Sequence, residues 1–395
     1  MADRIVLPTH ILNLMTLLEE AGEEVYLVGG SLRDALLGIP PHDFDLATSA
    51  LPEHTVRIFA DYRVIETGLK HGTLTVIAEG EPVEITTFRI DGSYHDGRHP
   101  DGVTFTDKIT EDLSRRDFTV NAMAYHPRKG LCDPFGGRED LERGILRAVR
   151  EPSLRFSEDA LRIMRAFRFS AQLGFSIEPA TLLGIAETRE GLARIAAERI
   201  ASEFLRLLCS PGVEQALRGM IEYGVLPYVT GDYRPSDAIL SVIGKSRPEE
   251  AERLGLFFAE AEPEEAAKFA HALRLSNKQI AALRAVCRSA GLSVHTEADA
   301  RRLIADCGVY APFGVRVSVL LGHSPVEAIG WVEDNRAPCT LADLALGGRE
   351  LISAGIEPRR VGRTLEYLLK EVLKEPEQNE REALLSLALA YNNRT

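Results

Sequence analysis

The sequence predicts an α+β fold in two parts, a mixed domain of short strands and helices up to about residue 148 and a nearly all-helical remainder. Three observations carry this. β-rich runs at 24–28, 43–47, 61–66, 73–78 and 82–88 are separated by turns and helices in the first part. Past Ala148 the strand signals nearly vanish, and apolar residues recur at helical spacing through 157–173, 194–208, 249–259, 263–274, 277–287 and 363–374. With 395 residues, 45% of them hydrophobic and 27% charged, the chain can bury the cores of two to four domains.

Each element has its own signal. From Pro8 to Glu20, Ile11, Leu12, Leu14, Met15, Leu17 and Leu18 give one apolar side to a helix. The run Val25-Tyr26-Leu27-Val28 reads as a strand, Gly29-Gly30 turns the chain into a helix, and Pro52 suits a first helical position. Glu79-Gly80-Glu81-Pro82 joins two strands. Residues 89–102 are too polar and glycine-rich for a regular element and predict a loop. Later breaks are expected at Ser210-Pro211-Gly212, Ser246-Arg247-Pro248 and Ala311-Pro312-Phe313-Gly314, and there is no internal repeat or low-complexity tract.

Composition excludes several classes. No run of about 18 apolar residues appears, and Met1-Ala2-Asp3-Arg4 has none of the basic and apolar regions of a secretory signal, so the expectation is a cytoplasmic protein without membrane partners. Five cysteines are scattered singly, without the pairs of a zinc site, and read as reduced. A net charge of −13 argues against indiscriminate nucleic-acid binding. Distribution qualifies that total: residues 1–100 carry 7 basic and 16 acidic side chains, whereas residues 101–210 carry 17 of each. The middle can therefore still present a local basic face.

Asp43 and Asp45 in Pro41-His42-Asp43-Phe44-Asp45-Leu46 are the first candidates for chemistry. If this run is a strand, alternation puts both carboxylates on one face, where they can hold hard divalent cations. Fourteen residues earlier, Gly29-Gly30-Ser31-Leu32-Arg33-Asp34 offers backbone N–H groups at a helix start, with Gly30 allowing close approach and Arg33 adding charge. Carboxylates for metal beside donors for phosphate point to nucleotidyl transfer, an in-line displacement that two ions about 3.5–4 Å apart can clamp. Glu84 interrupts an apolar strand and is either a further ligand or a partly solvated position. The Walker pattern Gly-x-x-x-x-Gly-Lys-[Ser/Thr] is absent.

Two further blocks follow. In Arg115-Arg116-Asp117-Phe118-Thr119-Val120-Asn121-Ala122, Arg116 suits a phosphate and Asp117 and Asn121 suit ribose hydroxyls, unless the block is simply an ion-paired helix end. In the run from Ser157 to Phe169, Ser157 is expected to cap a helix, and the helix dipole would account for Glu158 and Asp159. It does not account for Arg162, Arg165 and Arg168, which with Asp159 continue an i, i+3 series along one face. A carboxylate accepts only from donors and an arginine donates only to acceptors. Cytosine and adenine pair an exocyclic amine with a ring-nitrogen acceptor, so Asp159 with Arg162 would take C and A and reject U and G.

In this order the blocks resemble the class II CCA-adding enzymes (tRNA nucleotidyltransferases) and the related bacterial poly(A) polymerases of the DNA polymerase β superfamily. Leu27 to Asp34 with Asp43-Phe44-Asp45, Arg115 to Ala122, Asp133-Pro134-Phe135-Gly136-Gly137 with Asp140-Leu141, and Glu158-Asp159 to Arg168 carry the resemblance, and Ala197-Glu198-Arg199-Ile200 to Glu203 looks like the next family motif. The resemblance implies a polymerase-β-like catalytic head over 1–148, a base-reading neck over 149–210, a body over 211–320 and a tRNA-binding tail over 321–395. It makes Asp43 and Asp45 the catalytic metal ligands, places Gly30, Arg33 and Arg116 on the nucleotide, and makes Asp159, Arg162, Arg165 and Arg168 the protein template. Asp91 to Pro100 looks like the family's flexible loop, which accompanies the switch from C to A addition.

The tail is similar too, in Leu346-Gly347-Gly348-Arg349-Glu350-Leu351 to Gly355 and Pro358-Arg359-Arg360-Val361-Gly362, although arginine replaces the usual glycine-containing turn after Pro358. There is no downstream His-Asp phosphohydrolase pattern. The expected function is untemplated addition of C, C and A to tRNA 3′ ends from CTP and ATP with Mg²⁺. An A-adding enzyme or poly(A) polymerase is the alternative, disfavoured by the acidic run Glu375 to Glu382, and a non-catalytic RNA-binding module is a third reading. The number of subunits is left open.

Overall fold

The computed structural model describes residues 5–41, 43–91 and 103–394. They form two compact units, one running up to Leu207 and including Gln215–Val229, the other made of Leu208–Glu214 and the chain from Thr230 on.

In the first unit, α1 (Thr9–Glu20) leads into β1 (Val25–Val28), α2 (Gly29–Leu36), β2 (Phe44–Thr48), α3 (Pro52–Ile58), β3 (Arg63–Ile65), β4 (Thr73–Ala78) and β5 (Glu81–Thr87). Two short strands, β6 (Arg89–Asp91) and β7 (Val103–Phe105), pair with each other where a loop was expected; the residues between them lie outside the described set, and most of the expected flexible loop with them. Next come α4 (Ile109–Ser114), β8 (Ala124–His126), β9 (Gly130–Cys132), α5 (Gly137–Arg143), β10 (Ile145–Leu146), α6 (Pro152–Glu158) and α7 (Leu161–Leu173). After them run β11 (Ser176–Ile177), α8 (Pro179–Thr188), α9 (Ala197–Leu208) and α10 (Val213–Glu222).

The sheet is seven-stranded and mixed, in the order β3-β4-β5-β2-β1-β8-β9. β2 pairs parallel with β5 and antiparallel with β1, so Asp45 stands level with Glu84 on one side and Val28 on the other. Alternation sorts the faces. Leu27, Leu46, Leu74 and Ile85 point to the face covered by α1, whose Leu14, Met15 and Leu18 are almost fully buried. Tyr26, Val28, Ala47 and Ala124 face the other way and pack with Phe88 and with Ile109 and Leu113 of α4. Each such Leu, Val or Phe removed from water stabilises the head by about 1.5–3 kcal/mol. Buried on both faces, β1 is a rigid rail from which α2 starts.

The second unit is helical: α11 (Pro227–Thr230) precedes it, and α12 (Asp237–Ile243), α13 (Glu250–Phe257), α14 (Pro263–Ala272), α15 (Asn277–Ala290), α16 (Glu297–Cys307), α17 (Ala311–Leu320), α18 (Glu327–Glu333), α19 (Gly348–Ser353), α20 (Pro358–Lys374) and α21 (Arg381–Arg394) build it. Ser276 and Thr296 close capping boxes at the starts of α15 and α16. The stretch Glu297–Leu320 has the length and hydropathy of a membrane span. Its Ala300, Leu303, Cys307, Ala311 and Val315 instead form a buried cluster with Ala328 and Val332, as in a core helix. A second cluster joins Leu346, Leu351, Leu368, Val372, Leu384 and Ala388. At Pro358 the glycine-lacking segment simply starts α20.

Candidate active site

One cleft of about 530 Å³ in the first unit gathers residues from β2, α2, α7, α9 and the segment after α4. Asp45 lines it, with Gly30, Arg33, Arg116, Asp159, Arg162, Arg165 and Arg168. Asp43 does not: β2 begins at Phe44, so Asp43 stands exposed one residue before the strand that was expected to include it. It is still close enough to act on its neighbour. Burial first, then the charges of Glu84 and Asp43, push the Asp45 carboxyl up to about 6 against the pull of Arg116. Among the described residues no group of three or more His, Cys, Asp or Glu is placed to hold a metal ion, and Glu84 is exposed beside Asp45 without joining it in such a set.

The glycine at the head of α2 is fixed by geometry. Gly29 has φ +73°, and a Cβ there would lie 3.2 Å from both Arg116 Nη1 and Asp45 Oδ2. A side chain would cost about 1–2 kcal/mol in backbone strain and push two site groups apart. Arg33, one turn into the helix, is buried; it donates to Asp34 at 2.7 and 2.9 Å and to Asn121 Oδ1 at 2.9 Å.

Asp112 anchors the next block. Fully buried in the first turn of α4, it accepts from Arg115 at 2.8 and 2.9 Å and from Arg116 at 3.3 Å. Burial alone would raise its carboxyl, but the two guanidinium groups outweigh that and hold it low. Arg116 Nε is buried and has no hydrogen-bond partner, an unused donor at the cleft. Asp117 also overcomes its burial: Arg165 donates to it at 2.8 Å and Asn121 at 3.1 Å, which holds its carboxyl at about 2. Asp117 and Asn121 both line the cleft while engaged by these internal hydrogen bonds.

The segment carrying Asn121 is seated by the Asp133 to Leu141 motif. Asp133 accepts from the backbone N–H groups of Gly137 and Arg138 at 2.7 and 2.9 Å, starting α5. A Cβ on Gly137 would meet Thr119 O at 2.1 Å, and Asp140 accepts from Thr119 Oγ1 at 2.7 Å. That motif is a brace behind the site.

The expected single helix over 157–173 is two helices. Asp159 has extended backbone between α6 and α7, and its Oδ1 accepts from Leu161 N–H at 3.0 Å. Ser157 therefore caps nothing; it lies within α6 and donates to Ser153 O at 2.7 Å. The break turns Asp159 out of the arginine series and toward α9, where Arg199 donates to its Oδ2 at 2.7 Å. Arg162 donates to the carbonyls of Arg155 at 2.9 Å and Arg115 at 3.2 Å and pairs with Glu158. Arg168 pairs with Glu203 of α9 and donates to Gln172 at 2.9 Å. Phe169 is the platform between them: Arg168 lies 3.9 Å from its ring centre, and Arg33 and Arg165 lie 5.1 Å away.

Sequence reasoning missed Asp112, Arg199 and Glu203 as working parts. Arg199 and Glu203 were visible in the Ala197 to Glu203 motif, whose i, i+4 spacing puts both on one helix face. Asp112 had no signal, since Glu111-Asp112 reads like any solvated helix start.

Comparison with known proteins places the whole. Residues 25–147 match the Poly A polymerase head domain, and residues 174–231 match the probable RNA and SrmB-binding site of polymerase A. A CCA-adding enzyme from Limosilactobacillus fermentum (strain NBRC 3956 / LMG 18251) is 37% identical over 394 residues, 95% of each chain. The crystal structure of Bacillus stearothermophilus CCA-adding enzyme in complex with CTP superposes with a TM-score of 0.81 at 31% identity, over 98% of this chain and 99% of that one. The Thermotoga maritima CCA-adding enzyme complexed with tRNA shares the fold, with a TM-score of 0.67 at 23% identity over 99% and 97% of the two chains. Over its whole length, this chain belongs to the CCA-adding enzymes, with a nucleotidyltransferase head at its amino end.

Proposed function

We propose that the protein adds C, C and A in turn to the 3′ end of tRNA from CTP and ATP, releasing pyrophosphate, in the cytoplasm. The observation that carries this reading is the single cleft in which Asp45, the Gly29-Gly30 turn, Arg116 and the Asp159 to Arg168 series all meet. Relatives of this name, one of them solved in complex with CTP, support it.

Asp43 and Asp45 are the residues that would hold Mg²⁺. The donor chemistry fits: hard carboxylate oxygens, one of them raised to about 6 by burial and by neighbouring acids, form a site that a divalent cation would relieve. Two carboxylates suffice where substrate phosphates and water complete the shell. Held by Asp43 and Asp45, a bound metal would supply a lowered pKa at the attacking 3′-hydroxyl and charge neutralisation at the triphosphate.

The chain's own side chains do the rest. The start of α2 at Gly29 and Gly30 presents backbone N–H groups to the phosphates, and Arg116 fills its unused Nε with a phosphate oxygen. Arg33, held by Asp34 and Asn121, adds positive charge from beneath. Asp159 accepts from the exocyclic amine of C or A, and Arg162 donates to the adjacent ring nitrogen. Arg165 and Arg168, stacked on Phe169, keep that wall rigid. In domain terms this reading makes 1–148 the head, 149–210 the neck, 211–320 the body and 321–395 the tRNA-binding tail.

Three tRNAs, lacking CCA, ending in CC and ending in CCA, each offered CTP, ATP or both, test the reading. It expects CTP incorporation into the first, ATP into the second and little into the third. Failure of CTP incorporation into the tRNA lacking CCA would replace it with an A-adding or poly(A) activity.

A further inference from the structure

We infer that Arg199 is a positioning residue for base selection, locking the Asp159 carboxylate so that a wrong base cannot be accommodated by its rotation. The inference rests on Asp159 reading the base, as proposed above. Selecting C over U requires more than an acceptor. Uracil presents a carbonyl where cytosine presents an amine, and two acceptors facing one another lose binding only if neither can turn away. A carboxylate on a short side chain rotates freely about its last bond unless both oxygens are held.

Both are held here. Asp159 Oδ1 accepts from Leu161 N–H at 3.0 Å, and Oδ2 accepts from Arg199 Nη2 at 2.7 Å, with Arg199 Nη1 3.4 Å from Oδ1. The two holders come from different places, one the backbone of α7 and the other a side chain forty residues on in α9. Arg199 also lines the cleft, so its guanidinium reaches Asp159 from within the space a nucleotide would enter. Because Asp159 sits in the extended break between α6 and α7, no helical neighbour at i±4 restrains it. A carboxylate has about four acceptor positions, so these contacts leave room for the amine of C or A.

The same helix face continues the job one turn later. Glu203 pairs with Arg168 and lies 3.8 Å from Arg165. α9 therefore presents a cation to the acid and an anion to the arginines of the wall, the complement of both.

The experiment measures kcat/KM for CTP and UTP on tRNA lacking CCA, and for ATP and GTP on tRNA ending in CC, with the full-length protein and the variants Arg199→Ala, Arg199→Lys, Asp159→Ala and the Asp159→Ala/Arg199→Ala double. Arg199→Ala is expected to lower the CTP-to-UTP ratio about tenfold, with Arg199→Lys falling between it and the parent. The double variant is expected to be no less selective than Asp159→Ala alone, because the lock has nothing left to hold. If Arg199→Ala is poorly folded, Arg199→Lys carries the test. Loss of selectivity in Asp159→Ala with full selectivity in both Arg199 variants overturns this inference and leaves base reading by Asp159 standing. Unchanged selectivity in Asp159→Ala removes the base-reading proposal, and this inference with it.

Discussion

The two ends of the cleft are built on opposite plans. At the Asp45 end the groups are unfinished: a carboxylate held up at about 6 by burial and neighbouring acids, and an Arg116 Nε with nothing to donate to. At the Asp159 end every group is already engaged, with Asp159 on Arg199, Arg162 on Glu158 and two carbonyls, and Arg168 on Glu203 and Gln172. On the proposed reading the first end would gain its partners from substrate and cation, and would supply binding energy where charge changes during reaction. The second has its side chains ordered before a base arrives, so less entropy is lost on binding and a misfit is penalised. On the proposed reading, chemistry and selection are separated in space within one cavity.

The largest effect should follow from damage to the unfinished end. Asp45→Asn is expected to lower single-turnover CTP incorporation by about 10³-fold or more, since several kcal/mol of charge stabilisation go with the cation it would hold. In metal-free buffer at neutral pH the same variant should unfold at a higher temperature than the parent. The sign follows from the raised value: the folded state disfavours the ionised carboxylate, so this penalty is absent below pH 3.8 and complete above about 6. A parent that unfolds later than Asp45→Asn under those conditions would contradict the unfinished plan.

Asp117 should behave in the opposite sense. Its carboxyl is held at about 2 by Arg165 and Asn121, so its contribution to stability is complete above about pH 4 and is lost as the pH falls toward 2. Asp117→Asn removes one partner of a buried pair, which costs about 3–5 kcal/mol. Urea unfolding at pH 7 should register this loss, and the gap to the parent should shrink toward pH 2. A gap that stays constant with pH would show that charge is not its source.

Smaller changes sharpen the division. Arg116→Ala should reduce kcat/KM for CTP and ATP about equally, by roughly 10- to 100-fold from one charged hydrogen bond of about 1.5–3 kcal/mol. The ratio of the two nucleotides should stay put; a change in that ratio would blur the separation. Gly29→Ala, at φ +73° and 3.2 Å from Arg116 and Asp45, should give the mildest defect, about 1–2 kcal/mol in stability with a partial loss of rate. A defect in base choice there would be unexpected.

What could be read from the sequence follows from what sequence spacing encodes. Strand alternation and the glycine turn located β1, α2 and β2, and with them Asp45, Gly30 and Arg33, because these are neighbours along the chain. The arginine series was legible for the same reason. Spacing said nothing of partners far along the chain: Arg33 with Asn121, 88 residues apart, and Arg165 with Asp117, 48 apart. It also misplaced Asp159, since a helix-favouring run does not announce that one residue will turn extended to accept from Leu161 N–H. The strand was extrapolated one residue too far, since β2 begins at Phe44 and Asp43 stands just before it. Local pattern names the groups, while ion pairing across elements decides which are free to act.

The separation of the two ends is tested most directly by equilibrium binding of CTP and UTP with and without Mg²⁺. If the base wall is ordered before substrate and cation arrive, chelating the metal will weaken both nucleotides while leaving the ratio of their dissociation constants unchanged. A ratio that collapses toward one when the metal is removed would mean that selection is assembled by the catalytic end, and would contradict the account.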